Sequence, residues 1–335
     1  AVNVDLDALN ESTIIAKVSA VSVSIAGGAI GVGASIGISV ARNFIGYDQS
    51  GEHIPASVQA YLRATDVTAS GALTQHAVSN GKIDALVLAG SAAIAGGATV
   101  GVGASGAGTI AQNRIAVDTR AFVDDGDPPA GLLSVVNAGS VHLKAMDTSV
   151  ITTYVGTVSL AAAFGPVGAA ISIGVATATN QIASVVEAFI KDAIVASTSG
   201  DITVEAVSSS TITAESAAAS VALGLGFVGV AISGAGAEAT NVILGKTNAY
   251  AENSRLASAG NVSVLATNTS EIDAIVAALS AAVGGGLVGV GVSIGASLAE
   301  NYIGWTADGN SQPAEVKAYL RNTSVNATNV LKVQA

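Results

Sequence analysis

Residues 271 to 303 read EIDAIVAALSAAVGGGLVGVGVSIGASLAENYI. They alternate with period two, which is the strand signal. Val288, Val290, Val292, Ile294 and Leu298 share one parity, while Gly289, Gly291, Ser293, Gly295, Ser297 and Ala299 share the other. A glycine cluster, Gly284 to Gly286, divides the stretch into two arms. The reading is therefore strand, turn, strand.

The same stretch occurs five times. An Ile opens each tract (Ile14, Ile83, Ile151, Ile212, Ile272) and an Asn closes it 29, 30, 29, 29 and 29 residues later (Asn43, Asn113, Asn180, Asn241, Asn301). Two residues past each Asn stands another Ile, and further on comes an Ala-aromatic pair with Tyr61, Phe122, Phe189, Tyr250 or Tyr319. In the first and last copies that pair is displaced by a nine-residue insertion, YDQSGEHIP (47 to 55) and WTADGNSQP (305 to 313). A short alternating strand then ends each copy on an alanine, at 8, 77, 145, 206, 266 and 335, so the periods are 69, 68, 61, 60 and 69. The chain is expected to form one array over 1–335, with repeats at 9–77, 78–145, 146–206, 207–266 and 267–335. Such regular self-similarity is the mark of stacked-repeat architectures.

Several columns are constant across the copies. One is always glycine (Gly31, Gly101, Gly168, Gly229, Gly289), and four residues on another is always serine (Ser35, Ser105, Ser172, Ser233, Ser293). The first arm has its own serine column, at 22, 91, 159, 220 and 280. A fixed glycine column implies a close approach between sheets. Serine columns imply hydroxyls bonded to one another or to backbone, with no catalytic role. The asparagines are expected to form a side-chain ladder at successive corners. Because nothing ionisable interrupts the middle of any tract, the arms are expected to be covered on both faces. The fold class that follows is all-β: a β-solenoid of five 60–69-residue repeats whose Gly/Ala/Ser/Val tracts are buried on both sides.

Composition narrows function by exclusion. With 50% hydrophobic and 11% charged residues the chain is not disordered, and 39 Gly without a three-residue period, beside 5 Pro, are not collagen. The absence of cysteine removes disulfides, thiol catalysis and thiolate metal sites. A formal net charge of −11 opposes nucleic acid as a partner. Transmembrane helices conflict with the period of two and the glycine content. A membrane β-barrel would want a polar lumen face, so a membrane is not the expected partner.

The chemistry-bearing residues are few. Asp124, Asp125 and Asp127 form the densest acidic cluster, a weak calcium candidate that lacks the glycine pattern and bidentate Glu of an EF-hand loop. Otherwise no metal or cofactor is implied. The three His (53, 76, 142) have no ligand spacing and read as surface groups, and no residue is nominated as catalytic, so the chain is not expected to be an enzyme. Tyr47 and Trp305, which open the two insertions, are the candidate interaction-loop residues.

A Val/Ala/Gly/Ser tract ending in Ala-x-Asn-x-Ile, an Ala-aromatic strand and then Gly-Asn-Val-Ser-Val-Leu-Ala (260 to 266) resembles the repeat arrays of very large secreted bacterial surface proteins of the adhesin and filamentous-haemagglutinin-like kind. The resemblance covers the whole chain and is as much compositional as motif-based. It implies a β-solenoid stalk or fibre outside the cell, with a structural function and head-to-tail contacts to itself or to neighbouring repeats. The calcium-binding nonapeptides found in many such proteins are missing here. The alternative from a different class is a membrane-inserting β-hairpin protein acting as pore or anchor.

Overall fold

The computed structural model describes residues 1–126, 133–312 and 314–335. Among them there is no helix, and the strands lie in four sheets whose pairings are all parallel. The first sheet stacks the strands that close each copy: Val4–Asn10, Ala72–Ser79, Ser140–Asp147, Ile202–Ser208, Val262–Asn268 and Leu331–Gln334. A second stacks the Ala-aromatic strands, Ala56–Arg63, Val117–Asp124, Val185–Lys191, Lys246–Glu252 and Glu315–Arg321. A third is built of the short strands that follow them, Val67–Thr68, Ser134–Ala138, Ala193–Ser197, Arg255–Ser258 and Ser324–Ala327.

The fourth sheet, of eight strands, holds the tracts. In the first two copies a single strand runs through both arms, Thr13–Ile45 and Lys82–Ile115. In the others the arms are separate: Val150–Phe164 with Val167–Ile182, Thr211–Leu225 with Val228–Ile243, and Glu271–Gly285 with Val288–Ile303. First arms pair with first arms and second with second, so the sheet turns at the glycine corner and doubles back on itself. Gly28, Gly165 and Gly286 hold that corner at φ +147°, +153° and +147°, a conformation L side chains rarely adopt.

The all-β class stands, but the expected simple β-solenoid does not. The strands divide among several parallel sheets, one of which is folded and nearly closed like a flattened barrel. The expectation of two-sided burial also fails. The small-residue parity lies inside the fold, whereas the aliphatic parity faces out: Val21 is 80% exposed, Ile36 70%, Val158 59% and Ile173 51%. A charge-free strand has two apolar faces, and alternation alone does not say which is covered. Close approach decides it. Two Gly/Ser faces can meet almost backbone to backbone, and once they have met the larger side chains are left outside.

The large core lies at the base of the tracts, between the other three sheets. Ile83, Ile151 and Ile212 from the tract openings pack there with Ile115, Ile182 and Ile243 from the tract ends and with Leu73, Leu143, Ile190, Ile202 and Leu256, all fully or almost fully buried. The tract-opening and post-Asn isoleucines thus root the first four tracts in the core, whereas Ile303 of the last copy is exposed.

Candidate functional site

The folded tract sheet carries most of the unusual chemistry, and it is built on its two small faces. A Cβ placed at Gly103 would lie 2.8 Å from the Ala162 carbonyl oxygen, and one at Gly168 2.6 Å from that of Leu225. Side chains at Gly31, Gly101, Gly229 and Gly289 would run into the backbone of Gly96, Phe164, Gly224 and Gly284 respectively. Sheets packed through ordinary side chains sit ~10 Å apart; these lack the side chains that set that distance.

Each second arm lies between the first arm of its own copy and that of the next, as Gly229 does between Gly224 and Gly285. Gly31 of the first copy faces Gly96 of the second, and Gly101 faces Phe164 of the third. The serines follow the same zigzag. Ser35 donates to Ser22 (2.9 Å), Ser91 to Ser35 (3.0 Å), Ser105 to Ser91 (3.0 Å) and Ser159 to Ser105 (3.0 Å). The chain continues from Ser172 to Ser159 (2.8 Å), Ser220 to Ser172 (2.9 Å), Ser233 to Ser220 (3.0 Å) and Ser280 to Ser233 (2.9 Å). Each interior hydroxyl therefore gives one bond and receives one. Ser293, in the last copy, is exposed.

The asparagines are brought together where the arms enter the core. Asn43 Nδ2 donates to Asn113 Oδ1 (2.7 Å), Asn113 to Asn180 (2.9 Å), Asn180 to Asn241 (2.8 Å) and Asn241 to Asn301 (2.9 Å). Thr153 Oγ1 also donates to Asn180 Oδ1 (2.7 Å). Stacked parallel copies place identical amides one strand spacing apart, so each oxygen meets the next nitrogen.

Two ladders carry no signal in the period-two pattern. Tyr61, Phe122, Phe189, Tyr250 and Tyr319 form a face-to-face stack with ring centroids 5.0, 4.7, 4.9 and 5.0 Å apart. At the corner beyond them, Ala64, Asp192, Asn253 and Asn322 adopt φ of 47° to 50°. There Asn253 Nδ2 donates to Asp192 Oδ1 (3.0 Å) and Asn322 Nδ2 to Asn253 Oδ1 (3.3 Å). Asn and Asp at those positions are the one available cue, because they tolerate the left-handed region.

The remaining candidates are engaged within the chain. Asp124 accepts from Gly126 N–H (2.9 Å) and pairs with Arg63 (3.3 Å), Asp125 accepts from Ser134 through N–H and Oγ, and Asp127 lies outside the described residues. Among the described residues no three His, Cys, Asp or Glu side chains gather as metal ligands. Tyr47 lies against Phe44 and His53, with the Arg114 guanidinium 5.7 Å from its ring centre, and burial raises its phenol pKa. Trp305 is half exposed. His76 and His142 meet edge to face at 5.4 Å, and burial followed by the neighbouring His76 holds His142 below the usual imidazole value.

What the fold leaves uncovered is the outside of the doubled sheet. The second arms present Ile36, Ile38, Ile171, Ile173, Val292 and Ile294; the first arms present Val21, Val23, Val158, Ile275, Leu279 and Val283. Across the first arms the outward residues shrink to Gly90, Gly156, Ala217 and Ala277, which leaves an apolar trough of ≈ 570 Å³ between Val21, Leu88, Val158 and Leu279. The corner carries Phe227 (66% exposed) and Leu287 (86%). An exposed apolar surface this large and continuous marks an interaction surface. No protein-family model, no curated protein and no solved structure matches the chain.

Proposed function

We propose that the chain is a structural, non-catalytic protein: a section of an extracellular surface fibre, stalk or adhesin in which copies follow one another head to tail. The stagger of the tract arms carries this reading. Each second arm is completed by the first arm of the following copy, so Ser35, Ser105, Ser172 and Ser233 are buried while Ser293 is exposed. The small face of Val288–Ile303 is thus the complement of a further first arm such as Thr13 to Ala26 presents. The outermost strands of the four sheets add unpaired parallel edges to the same junction. The two ends are complementary and not identical, so the contact is heterologous and does not close. The resemblance to secreted surface arrays supports a place outside the cell.

Sedimentation velocity with electron microscopy of the purified chain tests this, together with a tandem fusion of two chains. Filaments that lengthen with concentration are expected, as is a fusion that melts above the single chain. Val4→Pro with Val333→Pro, or Gly295→Leu on the exposed small face, where a Cβ would meet only the Ala278 carbonyl, its oxygen at 3.5 Å, should block elongation and leave the interior folded. A chain that stays monomeric, with a fusion that gains no stability, overturns the proposal.

A further inference from the structure

We propose that the folded tract sheet is a blade that inserts, corner first, into the hydrocarbon layer of a phospholipid bilayer, as an anchor and not as a pore. Depth is the first argument. Residues 216 to 225 and 228 to 237 separate Glu215 and Glu238 from the corner, and no other ionisable group lies between. Ten residues at the ~3.3 Å rise of a parallel strand reach ~33 Å, and a bilayer core is about 30 Å thick. The first copy repeats the arrangement with Lys17 and Arg42 as its flanking charges, and the fifth with Asp273 and Glu300.

The second argument is that both faces and the corner are apolar together. A second copy of the chain laid against the blade would cover one face and leave the other, with Phe227 and Leu287, in water. Hydrocarbon covers all three. Aromatic side chains stand near the charged base, where headgroups would lie: Tyr154 in a first arm, and Phe44 and Tyr302 beside the ladder asparagines, with Trp305 just beyond. Membrane-spanning segments place Tyr and Trp at that level.

The backbone fits as well. A span in lipid must satisfy its own N–H and C=O groups, and four corner N–H groups do so between copies: Gly165 N–H donates to Leu225 O (3.2 Å), Gly226 to Gly285 O (3.0 Å), Val228 to Pro166 O (3.0 Å) and Val288 to Phe227 O (2.9 Å). The interior is filled by the serine zigzag and leaves no lumen, hence anchor and not pore. Only the outermost tract strands keep an unpaired side, so insertion rests on the array reading to the extent that further copies pair those edges.

The test is flotation of the full chain with phosphatidylcholine vesicles, with stacking followed separately by sedimentation. Wild type should float, and should still float in high salt, because no charge attraction is involved. The double variant Phe227→Asp with Leu287→Asp changes only exposed corner residues; it should lose flotation at least tenfold while far-ultraviolet circular dichroism and stacking stay as in wild type. Trp305 is the only tryptophan, so Phe227→Trp in a Trp305→Phe background reports the corner alone. Lipid brominated deep in the acyl chain should quench it more strongly than it quenches Trp305 in the wild type. Trapped dye should stay inside the vesicles.

A chain that stacks but does not float overturns this proposal and leaves the array intact; one that neither stacks nor floats overturns both. Flotation unchanged in the Asp variant, deeper quenching of Trp305 than of the corner, or dye release also overturns it. So does face-to-face pairing in solution that Ile173→Asp abolishes while vesicles are ignored, which would make a second copy the occupant.

Discussion

Ser233 Oγ donates to Ser220 Oγ at 3.0 Å across the inside of the folded tract sheet, and Ser280 in turn donates to Ser233 at 2.9 Å. Ser233→Ala should therefore cost about 1–3 kcal/mol, the penalty of leaving a buried hydroxyl without its acceptor. Replacing all of the zigzag serines by alanine should cost less per site than the single change, because no orphaned partner remains. Urea unfolding of the two variants gives the comparison, and equal per-site costs would mean the hydroxyls act independently.

Two glycines in the same strand should respond with opposite sign. A Cβ at Gly229 would collide with backbone at Gly224 and Gly285, and backbone cannot swing aside as a side chain can. Gly229→Ala should lose on the order of 1–3 kcal/mol through overpacking, and Gly229→Leu more. Gly234, on the outward parity, has nothing within 4 Å of such a Cβ. Gly234→Ala should gain roughly 0.5–1 kcal/mol by restricting the unfolded chain. Thermal melts of the pair decide it.

Asp147 is fully buried, with Ser149 (2.7 Å) and Ser210 (3.0 Å) donating to its carboxylate and, among the described residues, no cation paired with it. Burial raises its pKa above the ordinary 3.8, and the hydroxyl bonds only partly offset that. The folded state then holds the proton more tightly than the unfolded state. Stability contributed by the neutral carboxyl is complete below 3.8 and is lost as pH rises through the raised folded value. Asp147→Asn, which cannot ionise, should be more stable than wild type at neutral pH and close to it at pH 3. A wild-type advantage at pH 7 would show that the charged form is the stabilised one.

Ala64 sits at φ 47°, the left-handed conformation that Asp192, Asn253 and Asn322 take at the same corner of later copies. An alanine gains nothing there and carries the left-handed penalty of ~1 kcal/mol or more. Ala64→Gly should raise the unfolding free energy by about 1 kcal/mol, and Ala64→Asn should do so without the flexibility of glycine. Chemical denaturation of both variants is the check.

The sequence made the strands legible because alternation survives in five copies, and the rooted isoleucines, such as Ile83 and Ile115, because they recur at fixed distance from the asparagines. The Asn column pointed to a ladder for the same reason, although it lies within the strands, two residues before their ends, and not at the expected corners. The facing of the arms was not legible. Val21 and Ser22 are neighbours of opposite parity with no charge near either, so the pattern is unchanged if inside and outside are exchanged. What separates them is the near-contact of one arm's backbone with the other's, as of Gly31 with Gly96 and Gly289 with Gly284, a relation between arms that the alternation along a single strand does not display. The corner residues Phe227 and Leu287 stand outside the alternation, although large apolar side chains beside a turn glycine are themselves a sign that the turn does not face water alone.

The parallel pairing of copies also fixes how the chain would bear load. Every sheet hydrogen bond between successive copies points along the direction of stacking, from the Val4–Asn10 strand toward Leu331–Gln334. A pull on the two ends therefore opens the ladder bond by bond, as a zipper parts, and does not shear whole strands at once. Copies would give way one after another, each releasing 60 to 69 residues of slack. Because every second arm leans on the copy beyond it, the departure of one copy strips cover from its neighbour. Yielding would begin at an end and travel inward, and the interior would stay closed until its turn came.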